Sequence, residues 1–153
     1  MPSQIKVDEI KNVAGQYEIK TDTFKGQTTA GSVTVQGEGT ATTNLQQGLI
    51  KVWMRWDMAA SSLEGSFNVS GFTDVSTAIS QFNYTSNLAD GNYAIAGVAG
   101  EKSGGGNRGL GVNGNSTVPT TTLIRFYSFN SSWGAADLDV NGANISGDLA
   151  WVQ

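Results

Sequence analysis

Five carboxylates, Asp57, Glu64, Asp74, Asp90 and Glu101, are the residues of the central sequence that could pair for proton transfer. Two carboxyl groups held in different environments can divide acid and base roles, as in glycoside hydrolysis. Their spacing here forms no recognisable arrangement. The chain has no histidine, which removes the usual general base, and no cysteine, which removes thiolate chemistry and disulfides. A non-enzymatic protein without a cofactor is therefore expected.

Two further stretches invite a chemical reading. "DLDVNG" matches the opening of a calcium loop, with Asp137, Asp139, Asn141 and Gly142 in place and Asp148 where the bidentate glutamate would stand. Asn144 replaces the usual apolar residue and no helix flanks the loop, so an Asn-Gly hairpin is expected and no metal is assigned. "GEKSGGGNRG" is rich in glycine, but its lysine precedes the glycines and no helix follows, unlike a phosphate-binding loop. It reads as part of a long exposed loop from 101 to 119. Exposed loops carry recognition on many scaffolds, which makes Lys102, Asn107, Arg108, Asn113 and Asn115 candidate surface-recognition residues. Five Asn-x-Ser/Thr sequons, at Asn68, Asn83, Asn115, Asn130 and Asn144, are what an Asn-, Ser- and Thr-rich chain produces by chance, and none is read as glycosylated.

The elements that must position these residues are strands. In "GLIKVWMRWD", Ile50, Val52, Met54 and Trp56 alternate with Leu49, Lys51, Trp53 and Arg55. That period of two predicts a strand whose wholly apolar side covers a core. The other side sets an indole between two cations, so Lys51, Trp53 and Arg55 form a candidate interface. Leu63, Phe67 and Val69 are expected to share a face. Hairpins are expected at Asp90-Gly91 and Asn141-Gly142. "TTTLIRFYSFN" predicts a strand with two apolar or aromatic faces. No helix is predicted, and the spacing of strands points to an all-β, antiparallel β-sandwich, jelly-roll-like in form.

Composition divides the chain at residue 48. Residues 1–47 carry nine charged side chains and only two aromatics, Tyr17 and Phe24, whereas all four tryptophans follow. An N-terminal extended β arm is expected over 1–47, with "QIKVDEI" and "QYEIKTDTF" as short strands, and a sandwich domain over 48–153. The arm can bury too little apolar area to fold alone and needs a partner. Among 153 residues there are 20 glycines and only two prolines, which suits short strands and tight turns. The net charge of −4 includes no basic cluster, so nucleic acid is not an expected partner. Neither a signal peptide nor a membrane-spanning segment is expected, and synthesis in a cytoplasm follows.

Residues 48–97 resemble a domain recurrent in tail-fibre and other virion proteins of marine and cyanobacterial phages. Gly48, Lys51 and Trp53 match its G-x-x-K-x-W element. Ser66, Phe67, Asn68, Val69, Ser70, Thr73 and Asp74 match its S-F-N-V-S element, and Asp90, Asn92, Tyr93 and Ala94 its D-x-N-Y-A element. "MAASSLEG" departs from the family's turn after the first strand, and residues 100–135 follow no pattern of it. The resemblance implies a non-enzymatic virion component, repeated and often trimeric. On that reading the chain is a homotrimeric decoration, cement or short fibre protein, bound to capsid or tail proteins through its arm. The alternative is a tail-fibre adhesin whose loops bind host surface glycans. A small carbohydrate-active enzyme is the third and least favoured reading.

Overall fold

The computed structural model describes residues 22–23, 33–36, 40–103, 107–113 and 119–150. The two strands expected within residues 4–24 lie outside the described residues, apart from Asp22 and Thr23. Of the arm, a small antiparallel pair is described, β1 (Thr34–Gln36) with β2 (Thr42–Asn44), followed by one helical turn, α1 (Leu45–Gly48).

Eight strands follow: β3 (Ile50–Asp57), β4 (Ser62–Phe67), β5 (Val69–Ser76), β6 (Ile79–Tyr84), β7 (Ala94–Gly100), β8 (Gly109–Val112), β9 (Leu123–Phe129) and β10 (Val140–Ser146). They form two four-stranded antiparallel sheets, ordered β4-β3-β10-β7 and β5-β6-β9-β8. This is the all-β sandwich expected. Its connections differ from those of a true jelly roll, because β3–β4, β5–β6 and β8–β9 are hairpins that stay within one sheet. The remaining links cross between sheets. The cross from β4 to β5 is a single residue, Asn68, at φ 58°. Asparagine tolerates that left-handed conformation better than other residues with side chains. Its amide is also clamped, accepting from Ser86 N at 2.6 Å and donating to Ser86 O at 3.0 Å.

The core lies between the sheets. Along β6, β9 and β10 every second residue is buried, as the pleat requires. Val52, Met54 and Trp56 from β3 meet Phe82, Tyr84, Ile124 and Phe126 from the opposite sheet. The Trp56 ring sits edge-on to Phe82 at 4.8 Å and tilted against Phe126 at 5.5 Å. Its indole N–H donates to Ser80 Oγ at 2.8 Å, so the one polar atom of the ring is satisfied where no water reaches.

Several expectations are corrected. A β-bulge at Lys51 sends Ile50 to the outer face and carries Lys51 inward to 7 % exposure. A second bulge at Glu64 breaks the pattern in β4, so Leu63 faces the core while Phe67 faces out. Asp90-Gly91 turns the chain from one sheet to the other rather than within a hairpin. Asn141-Gly142 lies inside β10, not at a turn. The stretch 101–119, expected as loop, contains β8.

Candidate functional site

The outer face of β4-β3-β10-β7 follows directly from the register. Phe67, Trp53, Asn144 and Ala96 lie side by side across the four strands, and Gly65, Arg55, Gly142 and Val98 form the next row. Large apolar side chains stand open on it: Val98 is 70 % exposed, Phe67 54 %, Ile50 47 % and Trp53 42 %. The Trp53 ring reaches over Gly65, where a Cβ would touch it at 3.4 Å, an ordinary contact distance. The indole therefore leans over the neighbouring strand, and a shallow groove lined by Ile50, Trp53, Ala96, Val98 and Gly142 opens beside it. Large apolar side chains gathered on one sheet face in this way make it the candidate interaction surface.

Of the three residues expected there, Trp53 and Arg55 are on this face and Lys51 is not. The bulge turns Lys51 away, and its ammonium donates to Leu49 O at 3.1 Å. Burial pushes its pKa down, opposed by the nearby Asp148 carboxylate.

At one end of the face the charges are knitted together. Arg55 Nε donates to Glu64 Oε2 at 2.8 Å, and Lys102 Nζ lies 2.9 Å from Asp57 Oδ2 and 3.9 Å from Glu64 Oε1. Two of the five candidate carboxylates thus meet, but around a lysine. The bond from Lys102, helped by the Ala60 backbone N–H, holds the buried Asp57 carboxyl below the usual range. A carboxylate so held stays ionised and keeps no proton to donate, the opposite of a general acid. The sign for stability follows. Asp57 contributes above about pH 4 and loses its contribution as pH falls through its lowered value. Lys102, raised by the same bond, contributes below about pH 10 and loses its share above. Replacing Lys102 with methionine is expected to move the acid limb of a Tm-versus-pH profile upward in pH. An unchanged acid limb would mean that the pair does not act on stability.

The loop residues do not form one free surface. Lys102 is engaged as described. Arg108 is largely buried against Glu101, and its Nη1 donates to Asn107 O at 3.2 Å. Asn113 N bonds Arg125 O at 2.9 Å as β8 ends, and Asn115 lies outside the described residues. The calcium-like residues diverge too. Asp137 Oδ1 accepts from Ala78 N at 2.6 Å, Asp139 Oδ1 from Lys102 N at 2.8 Å, and Asn141 points into the core, donating to Leu138 O at 2.6 Å. Among the described residues no cluster of three potential ligands could hold a metal ion, and no helix is long and apolar enough to cross a membrane.

A set of residues that sequence reasoning did not single out lies on the other sheet. Tyr127 and Phe129, on the outward positions of β9, align with the exposed Trp133. The signal was present in their two-residue spacing, opposite the buried Ile124, Phe126 and Ser128. The chain matches no family model, no curated protein and no solved structure.

Proposed function

We propose that this chain is a non-enzymatic structural component of a phage virion. In this reading it is a homotrimeric decoration or short fibre protein, joined to other virion proteins through residues 1–47. The observation that carries the assembly role is the apolar outer face of β4-β3-β10-β7, with Trp53, Phe67, Ile50 and Val98 open to solvent on a single chain. Such a face gains stability by meeting copies of itself, and repeated surface proteins close through symmetric contacts. The virion setting is supported by the resemblance of residues 48–97.

Light scattering of the purified protein at micromolar concentration is expected to give three times the chain mass. A stable monomer there would overturn the assembly role. A truncated chain beginning at Gln46 is expected to keep its sandwich yet fail to decorate particles. Normal decoration by that chain would move attachment to residues 48–153.

A further inference from the structure

The outer face of β5-β6-β9-β8 has a different chemistry from the face assigned to self-assembly. Three rings run along it in near-parallel planes. Tyr127 and Phe129 are 6.3 Å apart at 27°, and Phe129 and Trp133 are 4.8 Å apart at 20°. Trp133 ends the row with one indole face turned away from Phe129, and it is 79 % exposed. This is the largest side chain type in the protein, held in the open.

The row is built, not incidental. Residues 130–134 close on themselves: Asn130 Oδ1 accepts from Ser132 N at 2.9 Å and Gly134 N at 3.0 Å, and Asn130 N donates to Gly134 O at 2.9 Å. Trp133 itself sits at φ 62°, a conformation that bulky residues rarely take. Beneath the row, Gly109 leaves room for Phe129, since a Cβ there would lie 2.0 Å from the ring.

Past Tyr127, toward the start of β9, the outward positions become planar and polar, with Gln81 opposite Arg125 and Asn83 opposite Leu123. Arg125 Nε donates to Gln81 Oε1 at 2.8 Å, and Gln81 Nε2 donates to Asn83 Oδ1 at 3.2 Å. These bonds fix the three side chains. The terminal guanidinium nitrogens of Arg125 bond no described residue. Only Arg125 of this line is charged.

We propose that this face is a binding platform for an extended neutral oligosaccharide, stacked on Trp133 and reaching along the strands to hydrogen-bond Arg125, Gln81 and Asn83. A pyranose ring presents a face of C–H groups, weakly positive, to which the negative face of an indole is complementary. Its rim of hydroxyl pairs both donates and accepts, as amides and a guanidinium do. A protein partner would favour large exposed apolar side chains over a line of polar groups, and the opposite sheet offers Val98, Phe67, Ile50 and Trp53 instead.

The test is a glycan array of neutral hexose and N-acetylhexosamine oligosaccharides probed with the full chain. Titration of the bound members follows, monitored by the indole N–H resonances. Selective binding is expected, with the Trp133 signal, assigned through Trp133→Phe, moving most. Trp133→Ala is expected to weaken binding at least tenfold with unchanged circular dichroism and unchanged mass, and Gln81→Ala to weaken it several-fold. Trp53→Ala is expected to keep the per-site affinity in the solution titration even where it loosens self-association, which separates this platform from the self-assembly face. The proposal is overturned if no arrayed glycan binds above background, if binding survives Trp133→Ala, or if that variant changes the oligomeric mass instead.

Discussion

Replacing Trp56 with alanine is expected to unfold the sandwich domain, with a loss of about 3–5 kcal/mol. The ring is fully buried and touches Phe82 and Phe126 across the sheet interface. Its removal leaves a cavity between two sheets whose backbones are each fixed by ladder hydrogen bonds, so little collapse can fill it. Ser80 Oγ also loses its donor. Chemical denaturation followed by far-UV circular dichroism measures the loss, and a change under 1 kcal/mol would show that the core is not organised around this indole. Trp56→Phe keeps much of the volume but not the N–H. It is expected to fall between the two.

Trp53, three residues away, is expected to behave differently. Trp53→Ala should leave the far-UV spectrum of the chain largely unchanged while weakening self-association. Large aromatic residues at the centre of an interface typically contribute 2 kcal/mol or more, which corresponds to roughly 30-fold in the dissociation constant. Sedimentation velocity at several concentrations reads this directly. An unchanged trimer would move the interface away from this face. Simultaneous unfolding would mean that the packing of Trp53 over Gly65 belongs to the stability of the sheet itself.

The contrast between these two tryptophans was legible in the sequence because period-two alternation is enforced by the pleat over the whole strand. What broke the pattern was local. A bulge adds one residue without changing composition, so nothing in "GLIKVW" announces that Lys51 and Ile50 exchange sides. Turn residues were also correctly located at Asp90-Gly91 but misassigned in role. Asp90 does accept from Asn92 N at 2.7 Å, as a turn-former should. Gly91 is required by the approach of Pro119 O, which would lie 2.6 Å from a Cβ. Turn chemistry says that the chain changes direction, not which sheet it enters next. Strand β8 was hidden for a related reason. Its glycine at 109 accommodates an aromatic ring from β9, and a strand whose outward positions are glycine carries no alternation to read. The aromatic row with Trp133 depends on that same tertiary contact, so its parts were visible in the sequence and their alignment was not.

The pairing of β3 with β10 ties the closing of the sheet to the end of synthesis. These strands are the first and last of the sandwich, yet they lie side by side at the centre of one sheet, with Asn141 bonding the Trp56 carbonyl 85 residues earlier in the chain. On a ribosome, β3 emerges early and waits, its central partner still unmade. Until β10 is released, β3 has only β4 beside it, and the sheet β4-β3-β10-β7 cannot close over Val52, Met54 and Trp56, although β5-β6-β9-β8 is already complete in sequence. Loops this long close slowly, which places folding in the millisecond-to-second range of β-rich topologies. In the proposed assembly, copies would meet through the outer face of this sheet only after each chain has been synthesised through residue 146 and has closed β10 against β3.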